Sequence, residues 1–212
     1  LLLYRAAIDA RPADFRPPKK DELADNIARL WKELGGTAAT KDLWERKDRK
    51  VQVAEGGGRW ETPKKEMPKW ELSDLAGQTW KLASLEGKTL FINLWATWCG
   101  PCRSEHSYLE KLYQKTKGRT DIQVLSFNVD DEVGAVAPYI KENSYTFPVL
   151  LASSYVNDLL PYISIPRNWI VDAAGKWRLE QIGFGSGENW EKDVLEKIEQ
   201  TKPEANAATP RP

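Results

Sequence analysis

Apolar residues along this chain follow two different repeats. At the start, Leu2, Leu3, Ala6, Ala7 and Ala10 recur at helical spacing until Arg11 and Pro12 end the run. A second stripe follows Pro17 and Pro18: Leu23, Ile27, Leu30, Trp31 and Leu34, closed by Gly35 and Gly36. It predicts an amphipathic helix over residues 19–34. Two short helices cannot bury such a stripe between them, so residues 1–45 are expected to be a helical segment that docks on other sequence. Residues 46–69 are charged, carry Gly56, Gly57 and Gly58 and have prolines at 63 and 68; they are expected to be linker. The glycines lack the following Gly-Lys-Ser/Thr of a phosphate-binding loop, which favours a flexible spacer over a nucleotide site.

From Trp70 the pattern changes to strands alternating with helices. Residues 70–72 and 79–82 predict a small hairpin across Ala76 and Gly77. Residues 89–95, Thr-Leu-Phe-Ile-Asn-Leu-Trp, form a nearly continuous apolar run of strand length, as expected of a central strand buried on both faces. A helix over 101–117, a strand over 122–128, a helix over 132–142, a strand over 147–151 and a short helix or turn at 157–160 follow. Residues 167–171 and 176–182 bracket Asp172 to Gly175 as a second hairpin, with glycine where a positive φ is needed, and a last helix spans 188–200. This order predicts an α/β domain over residues 70–202, with a central mixed sheet, helices on both faces and a helical segment before it. Residues 203–212, rich in alanine and proline, are expected to be a disordered tail.

Composition narrows the function classes. The chain has 212 residues, of which 41% are hydrophobic and 10 are tryptophan, enough for one core. Its 31 basic and 31 acidic side chains cancel, so nothing in the balance calls for nucleic acid as a partner. No apolar run approaches the roughly 18 residues of a membrane span. The chain begins at Leu1 and its single methionine is Met67, so it is expected to be the C-terminal part of a longer protein.

The two cysteines, Cys99 and Cys102, form one Cys-x-x-Cys directly after the central strand and at the start of a helix. There, unpaired backbone N–H groups and the positive end of the helix dipole favour thiolate over thiol and make Cys99 nucleophilic. Pro101 suits the first helical turn, where its missing N–H is not needed. Cys102 lies one turn on, close enough to resolve a mixed disulfide formed by Cys99. Zinc would need a second pair of ligands and only His106 remains, a c-type haem is excluded because Arg103 follows Cys102, and no metal or cofactor is expected. A non-catalytic redox sensor or binding module that uses the pair as a switch stays open as the alternative.

The run Trp95-Ala96-Thr97-Trp98-Cys99-Gly100-Pro101-Cys102-Arg103-Ser104-Glu105 resembles the active site of thioredoxin-fold proteins, and among them the bacterial TlpA and ResA group. The resemblance covers about residues 70–200. It implies a thioredoxin-like fold and a thiol:disulfide oxidoreductase that reduces protein disulfides through a mixed disulfide, with Cys99 as nucleophile and Cys102 as resolving thiol. It implies a cis-proline at Pro166 that holds Ile165 extended for pairing with a substrate chain, with Trp98, Gly100 and Pro101 also at the substrate. Thioredoxin's buried aspartate is replaced by Asn93; the TlpA and ResA group often carries a glutamate three residues after the second cysteine, which is Glu105 here. Glu105 is therefore expected to assist Cys102, the alternative being an ordinary solvated helix residue. His106 is expected on the helix surface. The resemblance further implies a monomeric bacterial protein outside the cytoplasm, in the periplasm or cell envelope. Its partners would be proteins bearing disulfides or thiols, re-reduced by an upstream donor that the sequence does not identify.

Overall fold

The computed structural model describes residues 51–54, 57–63, 66–160, 162–185 and 189–202, so the helical segment expected over 1–45 and the tail over 203–212 lie outside the described residues. Among the described residues the strands are β1 (Val51–Val53), β2 (Glu71–Ser73), β3 (Thr79–Lys81), β4 (Thr89–Trp95), β5 (Ile122–Asn128), β6 (Val149–Leu151), β7 (Ile163–Ile165), β8 (Arg167–Val171) and β9 (Trp177–Ile182). The α-helices are α1 (Gly100–Thr116), α2 (Val136–Glu142), α3 (Ser153–Leu159) and α4 (Trp190–Thr201). None of these helices is long and apolar enough to cross a membrane.

The apolar run of β4 takes the centre of a five-stranded sheet ordered β6-β5-β4-β8-β9, and all seven of its residues are buried. It pairs parallel with β5 and antiparallel with β8, so the sheet is mixed. Alternation along the strands then assigns the two faces. On one side Phe91 meets the Trp190 ring of α4, and Asn93 and Trp95 meet Glu105 and His106 of α1. On the other side Phe127 packs edge-on against Trp70, Tyr155 of α3 and Trp169. Helices thus cover both faces, and the thioredoxin-like α/β fold is the one the chain adopts. The β8–β9 hairpin turns at Gly175, whose φ of 79° is the left-handed value expected there, while Asp172 accepts from the Ala174 and Lys176 amides.

Two short strands escape the sequence pattern. β1 pairs parallel with β7, in register Val51 with Ile163 and Val53 with Ile165. Both lie where no regular element is expected, β1 inside the stretch read as linker. Part of that stretch also lines the outer edge of β9. The Gly58 amide donates to the Ile182 carbonyl, and Glu61 exchanges two 2.8 Å backbone bonds with Glu180. A side chain on Gly57 would come within 2.5 Å of the Gly185 backbone nitrogen, so this glycine permits a close approach of two backbones rather than supplying a flexible spacer. On the opposite edge Asp74 bridges Leu150, and both sheet edges are thereby covered.

Candidate active site

Strand β4 delivers the chain at Trp95 to a short turn, and α1 begins at Gly100. Cys99 is the N-cap of α1, with extended φ and ψ of −86° and 104°. Its sulfur accepts the Cys102 backbone N–H at 3.3 Å, and the two cysteines form a disulfide with their Cα atoms 5.3 Å apart. The first-turn amides of a helix are the donors its own ladder leaves unused, and here one of them points at the sulfur. An unused amide and the positive end of a helix dipole are features that favour negative charge, and both lie at the first sulfur rather than the second. Both cysteines are 0 % exposed. Gly100 is exposed, Trp98 and Pro101 are half-buried, and Pro101 sits in the first helical turn.

The turn before Cys99 is anchored from β5. Asp130, two residues beyond the end of β5, accepts the Thr97 amide at 2.8 Å and the Thr97 hydroxyl at 2.7 Å, and the Asn128 side-chain amide at 2.6 Å. Asp130 is buried, so these donors are what compensates its carboxylate for lost water. Nothing local in the sequence singles it out: it is the first of three consecutive acidic residues, Asp130, Asp131 and Glu132, after an apolar strand. Asp130→Ala leaves the buried Asn128 donor and the partly buried Thr97 donors without their acceptor, and should cost about 1–3 kcal/mol in urea unfolding at neutral pH, Asp130→Asn costing less. Equal stability of Asp130→Ala and the unaltered chain would contradict this anchoring.

Behind the cysteines lies a polar cluster sealed from solvent. Glu105, one turn after Cys102, is 0 % exposed and is not the solvated helix residue considered as its alternative. The Asn168 side-chain amide donates to its Oε1 at 2.7 Å and the Asn93 amide to its Oε2 at 2.9 Å. Asn93 also donates to Asn168 Oδ1 at 2.9 Å, an arrangement made possible because the two asparagines face each other across the β4–β8 register. Burial pushes the Glu105 carboxyl up to about 7, against the two amide hydrogen bonds that favour its ionised form. The buried carboxyl of this cluster thus comes from α1, with asparagine at the facing position of the central strand. Asn168 is a residue that the sequence reading missed; its signal is a polar side chain interrupting the β8 strand at the position matched to Asn93.

His106 is also buried rather than on the surface. Its ring lies 4.4 Å from Trp95 between centroids, within 5.6 Å of Tyr139, Tyr145 and Phe147, and its Nδ1 is 3.0 Å from the Tyr139 hydroxyl. Desolvation, with Arg103 nearby, lowers it to about 3, so the imidazole is neutral at physiological pH. The physical reason for the correction is that α1 sinks the whole Cys102–Glu105–His106–Leu109 face against the sheet.

The last part of the site comes from the loop before β8. The Ile165–Pro166 peptide bond is cis, and both residues are buried. Leu94 pairs with Arg167, so Pro166 belongs to the same end of the sheet as Trp95 and the cysteine turn. The fold therefore gathers at one sheet end a helix-capping dithiol, a buried carboxyl behind it and a proline-bounded strand edge beside it.

Residues 63–178 match the AhpC/TSA family. The thiol-disulfide oxidoreductase ResA of Bacillus thuringiensis is 31% identical over 135 residues, 63% of this chain and 77% of that protein. The thiol:disulfide interchange protein DsbE of Vibrio cholerae is 26% identical over 145 residues, 66% of this chain and 76% of that protein. Among solved structures, the pneumococcal exposed lipoprotein thioredoxin of Streptococcus pneumoniae superimposes with a TM-score of 0.53 at 23% identity, covering 63% of this chain and 99% of that one.

Proposed function

Since the chain belongs to the AhpC/TSA family and its ResA- and TlpA-like thiol:disulfide oxidoreductases, we propose that it works as a disulfide reductase on exported proteins, with Cys99 attacking and Cys102 resolving. The observation that carries this reading is the Cys99 sulfur at the N-cap of α1, bonded to the Cys102 amide and joined to its sulfur. In the reductive direction the Cys99 thiolate attacks one sulfur of a partner disulfide. That bond breaks, a partner thiolate leaves and takes a proton, and a mixed disulfide remains. Cys102 then loses its proton and attacks Cys99 Sγ, releasing the second partner thiolate and forming the Cys99–Cys102 disulfide. Two electrons pass to the partner, and an external dithiol must restore the pair.

Glu105 is proposed to take the Cys102 proton, and a group poised near 7 suits that task. Ile165 and Pro166 are proposed to present a backbone edge to the partner chain, with Trp98, Gly100 and Pro101 forming the rim around the sulfur. Charge supports the reductive direction. Once ionised, a carboxylate one helical turn from Cys102 disfavours a second negative charge on the sulfurs, which favours the disulfide over the dithiol and makes the pair more reducing. An extracytoplasmic location is proposed from the relatives, one of which is named as an exposed lipoprotein.

A glutathione-buffered titration followed by tryptophan fluorescence tests the direction, since Trp95 and Trp98 flank the turn. A midpoint near thioredoxin's value of about −270 mV is expected, and one near the roughly −120 mV of a strong oxidant such as DsbA would reverse the assignment.

A further inference from the structure

An enzyme that exchanges disulfides with other proteins needs an open sulfur and an open edge beside it, and this chain fills that edge with a piece of itself. β1 lies parallel to β7 over Val51–Val53, and one residue later the Ala54 amide donates to the Ile165 carbonyl at 2.6 Å. Ile165 immediately precedes Pro166, and its carbonyl is a backbone acceptor that an incoming extended chain would use. β7 has β1 as its pairing partner among the described strands and is not hydrogen-bonded into the five-stranded sheet. At the same time Cys99 is 0 % exposed, although attack on a partner's sulfur requires access to it.

We propose that the Ile163–Ile165 edge is a docking edge for an extended protein segment running parallel to it, and that residues Val51–Ala54 are its resident occupant, which a partner must displace. The proposal rests on the docking role assigned above to Ile165 and Pro166. The form of the contact suits a displaceable occupant. Three residues make a short ladder, and Val53 is still 44% exposed, so at that position backbone pairing rather than side-chain burial holds the strand. A second attachment sets how far the segment can travel: downstream, Gly57 lies against the Gly185 backbone and Gly58 bonds to Ile182 on β9. Release of Val51–Ala54 can therefore leave residues 58–61 paired to the sheet, and the segment stays close at hand to return. The apparent affinity for a partner is then reduced by the fraction of molecules in which the edge is empty.

Two substitutions in the full chain weaken the occupant by different means. Ala54→Pro removes the amide that bonds Ile165, and the residue before a proline keeps the extended form β1 already has. Gly57→Ala places a methyl group against the Gly185 backbone and loosens the downstream attachment. Each should raise the rate of insulin disulfide reduction, and of iodoacetamide alkylation of the reduced protein, about three- to tenfold, the scale set by one hydrogen bond. A synthetic peptide covering residues 49–58 should lower the Ala54→Pro rates saturably. Unchanged alkylation in both variants overturns the proposal, as does slower insulin reduction, which would make the strand part of the partner's platform. If the unaltered chain reduces insulin no faster than Cys99→Ser, the reductase reading fails instead, and the alkylation rates alone decide whether Val51–Ala54 closes the edge.

Discussion

Cys99→Ser brings protein-disulfide reduction down to the uncatalysed rate, a loss on the order of 10³-fold or more, as expected when a covalent nucleophile is removed. A serine hydroxyl at the same helix N-cap has no appreciable anionic form at neutral pH, so the amide aimed at the sulfur has nothing to stabilise. Cys102→Ser fails differently. The Cys102 backbone amide that bonds the Cys99 sulfur is retained, attack still proceeds, and the mixed disulfide has no internal thiol to release it. Under non-reducing conditions this variant accumulates partner adducts of one-to-one mass, and a reductant clears them. Because Cys99 and Cys102 are the chain's two cysteines, each adduct has one point of attachment. Adducts on Cys99→Ser but not on Cys102→Ser would exchange the two roles. Circular dichroism separates loss of chemistry from loss of fold, since no other disulfide supports the structure.

Glu105→Gln changes stability in a pH-dependent way, and the sign follows from burial. The carboxyl stands at about 7 in the folded chain against 4.5 as its ordinary value. Between those values the folded state holds a proton that the unfolded chain has lost, so the stabilisation is complete below about 4.5 and disappears as pH rises through about 7. At 1.36 kcal/mol per unit this amounts to about 3 kcal/mol by pH 8.5. Glutamine carries no such charge but loses one of the two acceptor oxygens, so the difference in stability between variant and unaltered chain should shift in the variant's favour by about 3 kcal/mol between pH 4.5 and pH 8.5, from a pH-independent offset set by the lost acceptor.

His106 works in the opposite sense. Lowered to about 3 from 6.5, it contributes stability above 6.5 that is lost as pH falls toward 3. The two slopes oppose each other between about 4.5 and 6.5, where the unaltered chain should show a nearly flat urea midpoint and Glu105→Gln a rising one. A stability difference that does not vary with pH would show that Glu105 does not titrate in this window. In exchange kinetics the same substitution should remove an inflection near 7 from the rate profile, the signature of a proton acceptor rather than of packing alone.

Long elements were legible because their patterns are local. The seven-residue apolar run of β4 is long enough to read as a buried strand without its partners, and the helix-capping cysteine pair follows directly from the β4-to-α1 order. β1 and β7 have three residues each, too few for any period, and they exist because they pair with one another across more than a hundred residues of chain. Gly57 and Gly58 read as spacer for a related reason: their contact partners, Gly185 and Ile182, are invisible to a local window. The short helix or turn expected at 157–160 is a helix that starts earlier, at Ser153, without a side-chain cap to mark it. Around the cysteines, burial was the missing information. His106 looks like a surface residue of a charged helix, and Glu105 leaves that alternative open, until the sheet beneath supplies Asn93, Asn168 and Trp95 to receive them.

Asp130 gives the turn that carries Cys99 a mount that exists before any partner arrives. Its carboxylate, just beyond the end of β5, accepts from both the amide and the hydroxyl of Thr97, so the segment leading to Cys99 has less freedom left to lose in an encounter. The entropy of ordering then falls on the incoming polypeptide, which must straighten to reach the sulfur. Targets whose cysteines lie in unfolded stretches meet that demand more readily than targets whose disulfides are locked inside a finished fold.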